Sequence, residues 1–552
     1  MKKKLLLGYV VVCLLLITSC NGEDSPAESS DVSVNENIQA IQVSQTPFLP
    51  QSTAIMMPDT LSVWIPQEIQ ALILEENPFL AEYLSDNPNV ATCKFTESTP
   101  TVMLGQIVFA LTVPFNTIRD EISKDQLDLM LTAADASGSI IGASVETVNL
   151  LEQLGLSTTA IKVVEENALI EQVYAQQESF AIIPFDQLSP AWKVLRINGI
   201  SPYDQEFSYQ GYPLSFQFGL QCENNAQIDK LNGLINSQWN NRDPEKFTSI
   251  LLTGTTALTR ATAGKMEVNG NSYPGEKVYH WFQAADITHI SNEVSFNSSC
   301  PAANPNQKDL FFCSRPEYAE LFAFLGVDVV ELTGNHLVDK GVPALEETFD
   351  LLSEMGIPYY AAGRTQAEAE QAVLFENNGN RIAFLGCNEA GPNFVWISEG
   401  RSGVNKCDMD KMADLVRGLR EEGYLPVVTF QYGETFQFKA MPNQRDDSRQ
   451  MIDAGAVIVS GSQAHLPMTM DVYYDGFIHY GLGNLFFDQM DIPVTGTRRE
   501  FLDRHIFYNG KYLGVDLLTA MLEDYAQPRP MTAEERENLL QDAFADFSLI
   551  VE

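Results

Sequence analysis

A chain of 552 residues, 45% of them apolar, has material for roughly three or four domains and is neither a peptide nor a wholly disordered protein. Lys and Arg number 34 against 73 Asp and Glu, a net charge of −39. The one run of three bases is Lys2-Lys3-Lys4, so nucleic acid is excluded as a default partner.

The amino terminus reads as a targeting segment. After the three lysines, Leu5–Ile17 form an apolar run of 13 residues, too short to span a bilayer as a stable helix. The run ends in Ile17-Thr18-Ser19-Cys20, which resembles the lipobox of bacterial lipoproteins. That resemblance implies removal of residues 1–19, acylation of Cys20, a membrane anchor outside the cytoplasm, and residues 20–49 as a flexible tether. The alternative is a plain secretory peptide with an incidental cysteine. No second apolar run of about 18 residues follows, and the charge after cleavage is −42. Export leaves six cysteines in an oxidising compartment: Cys93, Cys222, Cys300, Cys313, Cys387 and Cys407. Their spacing lacks the paired CxxC knots of a zinc site. The short separations of Cys300 from Cys313 and of Cys387 from Cys407 point to two local disulfides, with free buried cysteines as the alternative.

Residues 50–245 read as one α/β domain. The expected elements are a strand at Leu61–Ile65, a helix over 66–82, a strand from Gln106 to Phe115, and a helix opened by the capping box Ser123-Lys124-Asp125-Gln126. A helix near 165–177, a strand Phe180–Pro184 and a strand Lys193–Ile197 follow. This order resembles bacterial periplasmic solute-binding proteins of the phosphate- or molybdate-binding sort, which implies a small-solute ligand; an accessory α/β domain with no ligand fits equally. Past Asp243-Pro244, apolar strands recur at 247–253, 286–291, 327–333, 381–387, 426–431, 456–461 and 477–481. Helical patterns lie at 343–355, 408–422 and 443–453, and Asn378-Gly379 marks a hairpin. Residues 246–490 are thus a second α/β domain. A hairpin at Asn509-Gly510 and a helix capped by Thr532-Ala533-Glu534-Glu535, within 491–552, complete it.

In open α/β sheets, sites form beyond the carboxyl ends of the strands. The polar residues there are Thr255, Asn292, Glu293, Asn335, His336, Gln431, Tyr432, Ser462, Gln463, His465 and Asn484. Several of these stand in recognisable motifs. Asn335-His336, with Val338-Asp339-Lys340-Gly341, resembles the Asn-His-x-x-Asp-x-Gly signature of bacterial capsule-synthesis proteins of the CapA/PgsA type, implicated in poly-γ-glutamate production. Residues 359–363, Asp453-Ala454-Gly455-Ala456 and Tyr480–Asp488 match further motifs in the same order over residues 247–490.

The resemblance implies a fold similar to calcineurin-like metallophosphoesterases, a four-layer αββα sandwich whose loops hold two metal ions. It places Glu293 as the bridging carboxylate, Asn335 as an amide ligand, His336 as the acid near the leaving group and His465 as the last imidazole. Yet Thr255, Gln431 and Gln463 stand where that family has a carboxylate and two imidazoles, so the ligand set is depleted. Three occupancies remain open. They are two metals, one metal at Glu293, Asn335 and His465 helped by His289 through strand alternation, and a metal-free pocket using Glu293 and His336 as an acid–base pair. For His336 a merely buried, hydrogen-bonded role is the bland alternative, and for His280 and His505 it is the favoured one. Thr255, Asn292, Asn335, Gln431, Gln463 and Asn484 would then bind substrate. Two classes of function follow: a hydrolase or transferase acting on a cell-envelope polymer, or a non-catalytic lipoprotein that binds such a polymer or a small solute.

Overall fold

The computed structural model describes residues 60–132, 140–176, 178–235 and 237–551. The signal segment, Cys20, the tether and the first residues of the expected 50–245 domain lie outside the described residues. Among the described residues, no helix is long and apolar enough to cross a membrane.

The first sheet is built around Val102–Pro114, a strand of 13 residues whose centre is buried on both faces. Its strands run in the order Val63–Trp64, Cys93–Thr96, Ser215–Cys222, Val102–Pro114, Phe180–Pro184, Ile141–Ala143 and Ile161–Val163. The helix expected over 66–82 ends at Glu76, because Pro78 disfavours helical geometry at Asn77, and Pro78–Tyr83 continues as a 3-10 turn. The strand expected at Lys193–Ile197 is divided. Trp192–Val194 pairs with the long central strand, whereas Arg196–Ile197 pairs with Glu121–Ile122 in a separate ribbon. Cys93 and Cys222, directly opposite in neighbouring antiparallel strands, form a disulfide that the two local pairings did not include.

The chain enters its second half at Asp243–Lys246, and this junction is packed. Arg242 is buried, 4.2 Å from the ring centre of Phe247 and 5.4 Å from that of Phe185, with its Nε donating to the Pro202 carbonyl. A cavity of about 280 Å³ is lined from both halves of the chain, by Asp120, Lys193 and Arg196 and by Asp516 and Arg536. These charges pair with one another: Lys193 and Arg536 with Asp120, and Arg196 with Asp516. They act as a clasp.

Strand alternation explains the layers of the second half. In Phe247–Thr253, Leu251 points to a core shared with the helices Glu320–Leu325 and Val342–Glu354, while Ile250 and Leu252 point the other way. In Leu425–Thr435, Val427 meets Ile250 and Leu252 in that same inner core, and Val428 faces the helices Met409–Glu421 and Pro442–Asp453. Two sheets therefore pack face to face with helices outside each, the four-layer αββα arrangement. One sheet runs Tyr359–Tyr360, Val329–Glu331, Ile287–Asn292, Phe247–Thr253, Arg499–Tyr508, Lys511–Glu523, Gln527–Pro530. The other runs Val373–Asn377, Asn380–Asn388, Leu425–Thr435, Ile458–Ala464, Gly476–His479, Met470–Tyr473, Ser548–Ile550. The hairpin through Asn509-Gly510 and the helix Ala533–Phe544, with its Thr532–Glu535 capping box, belong to this body.

Candidate functional site

The carboxyl ends of the parallel strands converge at one end of the sandwich. Thr255 lies in register with Ser291 on one side and with Asn484 on the other. Glu293 follows the strand Ile287–Asn292, and its N–H donates to the Thr256 carbonyl at 2.9 Å. The loop after Val329–Glu331 returns against it: a Cβ at Gly334 would stand 2.4 Å from the Glu293 carbonyl oxygen, so only glycine lets Asn335 and His336 come this close.

His336 Nδ1 donates to Asp339 Oδ2 at 2.7 Å, which turns Nε2 toward Glu293 Oε1, 3.9 Å away. The Phe312 N–H donates to the same Asp339 oxygen at 2.8 Å, and its ring sits 4.6 Å from the imidazole. Burial disfavours the charged ring, but the Asp339 hydrogen bond and the Glu293 charge outweigh it, so His336 holds its proton above the ordinary imidazole range; Arg260 opposes this weakly. Four buried oxygens around this pair lack any partner among the described residues: Thr255 Oγ1, Asn292 Oδ1, Glu293 Oε2 and Asn335 Oδ1. Buried acceptors left open in this way call for a donor-bearing ligand or water.

His465 donates from Nδ1 to Asn484 Oδ1 at 2.8 Å, lies 3.7 Å from Glu434 through Nε2, and stacks on Phe487 at 5.3 Å. On the other sheet, Gln431 Nε2 donates to Gln463 Oε1 at 2.6 Å, and Asn388 Nδ2 donates to Gln431 Oε1 at 2.7 Å. Asn388 Nδ2 also donates to the Thr333 carbonyl, joining this amide chain to the loop that carries Asn335.

The geometry thus gathers Glu293, Asn335 and His336, and links Thr255 with Asn484 and His465. His289 does not join them. Its Nε2 lies 3.0 Å from the Tyr360 hydroxyl and 3.4 Å from Glu331, and its ring stacks on Phe384 in the core between the sheets. Alternation gave its face correctly, but that face at residue 289 is already interior. Three contributors were not assigned from sequence. Asp339 stood in the motif three residues after His336, Asn388 ends a strand like the others, and Glu434 carried no signal.

The residues present do not fit a two-metal centre. Both amide oxygens that would face a cation, Gln431 Oε1 and Gln463 Oε1, already accept N–H bonds from neighbouring amides. Glu293, Asn335 and His465 supply only one carboxylate and one imidazole, and the imidazole is bonded through Nδ1 to Asn484 with Glu434 3.7 Å from its Nε2. Among the described residues no group of three or more His, Cys, Asp or Glu is placed to hold a metal ion.

The loop that places Phe312 is closed by a Cys300–Cys313 disulfide, and Cys387 is bonded to Cys407 beside Asn388. Replacing Cys300 and Cys313 by serine is expected to cost about 3 kcal/mol through the freed unfolded chain. Urea melts of the double variant and the wild type, both without reductant, measure this, and non-reducing peptide mapping checks the pairing.

Residues 249–489 match the family model described as bacterial capsule synthesis protein PGA_cap. The capsule biosynthesis protein CapA of Bacillus anthracis is 27% identical over 236 residues, 42% of this chain and 56% of that protein. The PGA biosynthesis protein CapA of Bacillus subtilis (strain 168) is 25% identical over 233 residues, 42% of this chain and 60% of that protein. The chain therefore spans little more than half the length of these curated relatives. Among solved structures, the 5'-nucleotidase precursor of Thermus thermophilus is similar at 14% identity and TM-score 0.33, over 54% of this chain and 58% of that one. An ABC-type phosphate transport receptor from Vibrio cholerae is similar at 14% identity and TM-score 0.26, over 32% of this chain and 93% of that one.

Proposed function

We propose, from the match of residues 249–489 to the bacterial capsule synthesis protein model, that this chain is a lipid-anchored extracytoplasmic protein acting in the synthesis, processing or export of a capsular or cell-envelope polymer such as poly-γ-glutamate. The observation that carries a catalytic reading is the Glu293–His336–Asp339 arrangement. It holds an imidazole whose proton is favoured by the Asp339 hydrogen bond and the Glu293 charge, oriented by one carboxylate and 3.9 Å from a second, buried one. Such a pair suits hydrolysis or transfer at an amide, glycosidic or ester bond. His336 Nε2 gives its proton to the leaving group, Glu293 takes one from the incoming water or hydroxyl, and the open oxygens of Thr255, Asn292 and Asn335 receive substrate donors. No step is routed through a metal, since the residues present do not fit a two-metal centre.

A second reading is favoured by the amide chain Asn388–Gln431–Gln463, whose members are engaged in neutral hydrogen bonds with one another. In that reading the protein binds the polymer, or a small solute through its first half, and guides it without catalysis. Complementation separates the two. In cells lacking this protein, the wild type is expected to restore polymer output or chain length, and Glu293→Gln to fail; equal restoration by both would leave only the binding role.

Membrane attachment is tested at Cys20. Cys20→Ala is expected to leave the chain unacylated and to release it from the membrane fraction. Unchanged lipid labelling and fractionation would exclude the anchor.

A further inference from the structure

The Glu293–His336 centre is rich in carboxylates and open acceptors, in a chain whose net charge is −39. An oxyanion approaching it meets repulsion unless a fixed cation stands alongside. Arg260 occupies that position. It is the first residue of the helix Arg260–Asn269 and has φ +47°, a left-handed conformation that a side chain other than glycine holds only when its surroundings impose it. Its guanidinium carbon lies 4.9 Å from the ring centres of both Phe312 and Phe487. Each ring touches one half of the site, Phe312 against His336 and Phe487 against His465. Arg260 therefore stands where the two halves meet.

Its bonding leaves the guanidinium incompletely used. One Nη donates to Asp488 Oδ1, and the other Asp488 oxygen is taken by the Ala261 N–H at 3.0 Å. Arg260 Nε is buried with no acceptor among the described residues, while the side chain as a whole keeps 17% of its surface exposed. An arginine serving only to neutralise Asp488 would engage it with two nitrogens, the preferred fork geometry. Here only one nitrogen of the guanidinium is spent on the aspartate, and two aromatic faces fix the plane in which it lies.

We infer that Arg260 recognises an oxyanion of the substrate, a carboxylate or a phosphoryl group, on the part of its guanidinium that Asp488 does not use, and so presents the adjoining bond to Glu293 and His336. This rests on the reading of the site as a polymer-processing centre and names the chemical feature it selects.

The test is calorimetric titration of the full chain at low ionic strength, with inorganic phosphate in one arm and a γ-linked glutamate tetramer in the other. The wild type is expected to bind at least one probe, and the preferred arm tells phosphoryl from carboxylate. Arg260→Lys keeps a charge opposite Asp488 but lacks the fork, and should weaken the preferred probe tenfold or more. The paired change Arg260→Gln with Asp488→Asn removes both charges together, so no carboxylate is left buried alone; it should abolish measurable binding with an unchanged circular-dichroism spectrum. Wild-type affinity in folded variants, or no binding of either probe by the wild type, overturns the inference. Glu293→Gln should bind the probe at least as well as the wild type. If it loses polymer processing while the Arg260 variants bind normally, recognition by Arg260 falls and the acid–base reading stands. If processing survives Glu293→Gln while the Arg260 variants lose the anion, the reverse holds.

Discussion

Glu293→Gln is expected to lower turnover of the envelope polymer by on the order of 10²- to 10⁴-fold, and His336→Gln by a similar factor. Glutamine keeps the shape of Glu293 and can still donate or accept a hydrogen bond, so loss of activity would report loss of the base. In the proposed mechanism the two residues serve one proton transfer cycle, so the double variant should be little worse than either single one. The pH profile gives an independent reading. His336 must be protonated to act as the acid, and Asp339 with Glu293 holds its pKa above the ordinary imidazole value. Turnover should therefore persist through the pH at which a free histidine would already have lost its proton, and fall as pH rises through the raised value. The same shift contributes stability that is fully present below the ordinary imidazole pKa and is lost as pH rises through the folded one. Asp339→Asn removes the bond that most favours the charged ring, so the alkaline limb should move to lower pH. A binding-only protein would show no such limb in polymer processing.

Much of the second half was legible because its strands are apolar runs that end in polar residues. Burial between two layers demands continuous Val, Ile, Leu and Phe, and the first polar residue past each run marks the sheet edge where a site forms. Glu293, Asn335-His336 and Asn484 were visible on that ground alone. What sequence did not carry is how each strand end spends its hydrogen bonds. Gln431 and Gln463 read as weakened ligands, whereas the structure shows them bonded to each other and to Asn388, a closure that depends on three strands lying in register. His289 was misplaced for the same reason, since its partners Tyr360 and Glu331 come from neighbouring strands of one sheet and Phe384 from the other. In the first half, strands with mixed burial, such as Ser215–Cys222, give little periodic signal. The disulfide between Cys93 and Cys222 joins residues 129 positions apart.

Restoring Thr255→Asp, Gln431→His and Gln463→His together is expected to raise zinc or manganese affinity by on the order of 10²-fold or more, since one carboxylate and two imidazoles replace three neutral oxygens. The wild type should bind either ion poorly and show little phosphodiesterase activity. The structural reason is local. Gln431 holds Gln463 through its N–H and receives Asn388 on its oxygen, so a cation at this point must break bonds that already satisfy buried groups. The histidines end that closed chain and leave ring nitrogens open, and Asp at 255 sets a charge in register with Asn484, whose amide oxygen already orients His465. Calorimetry on the wild type and the triple variant reports the change directly. Two tightly held ions in the wild type, with turnover abolished by Glu293→Gln, would instead place a metal mechanism first and refute the depleted site. If the triple variant gains no affinity, the loops themselves no longer surround one point. Metal chemistry would then have been lost through geometry, with His336 and Glu293 left to act alone.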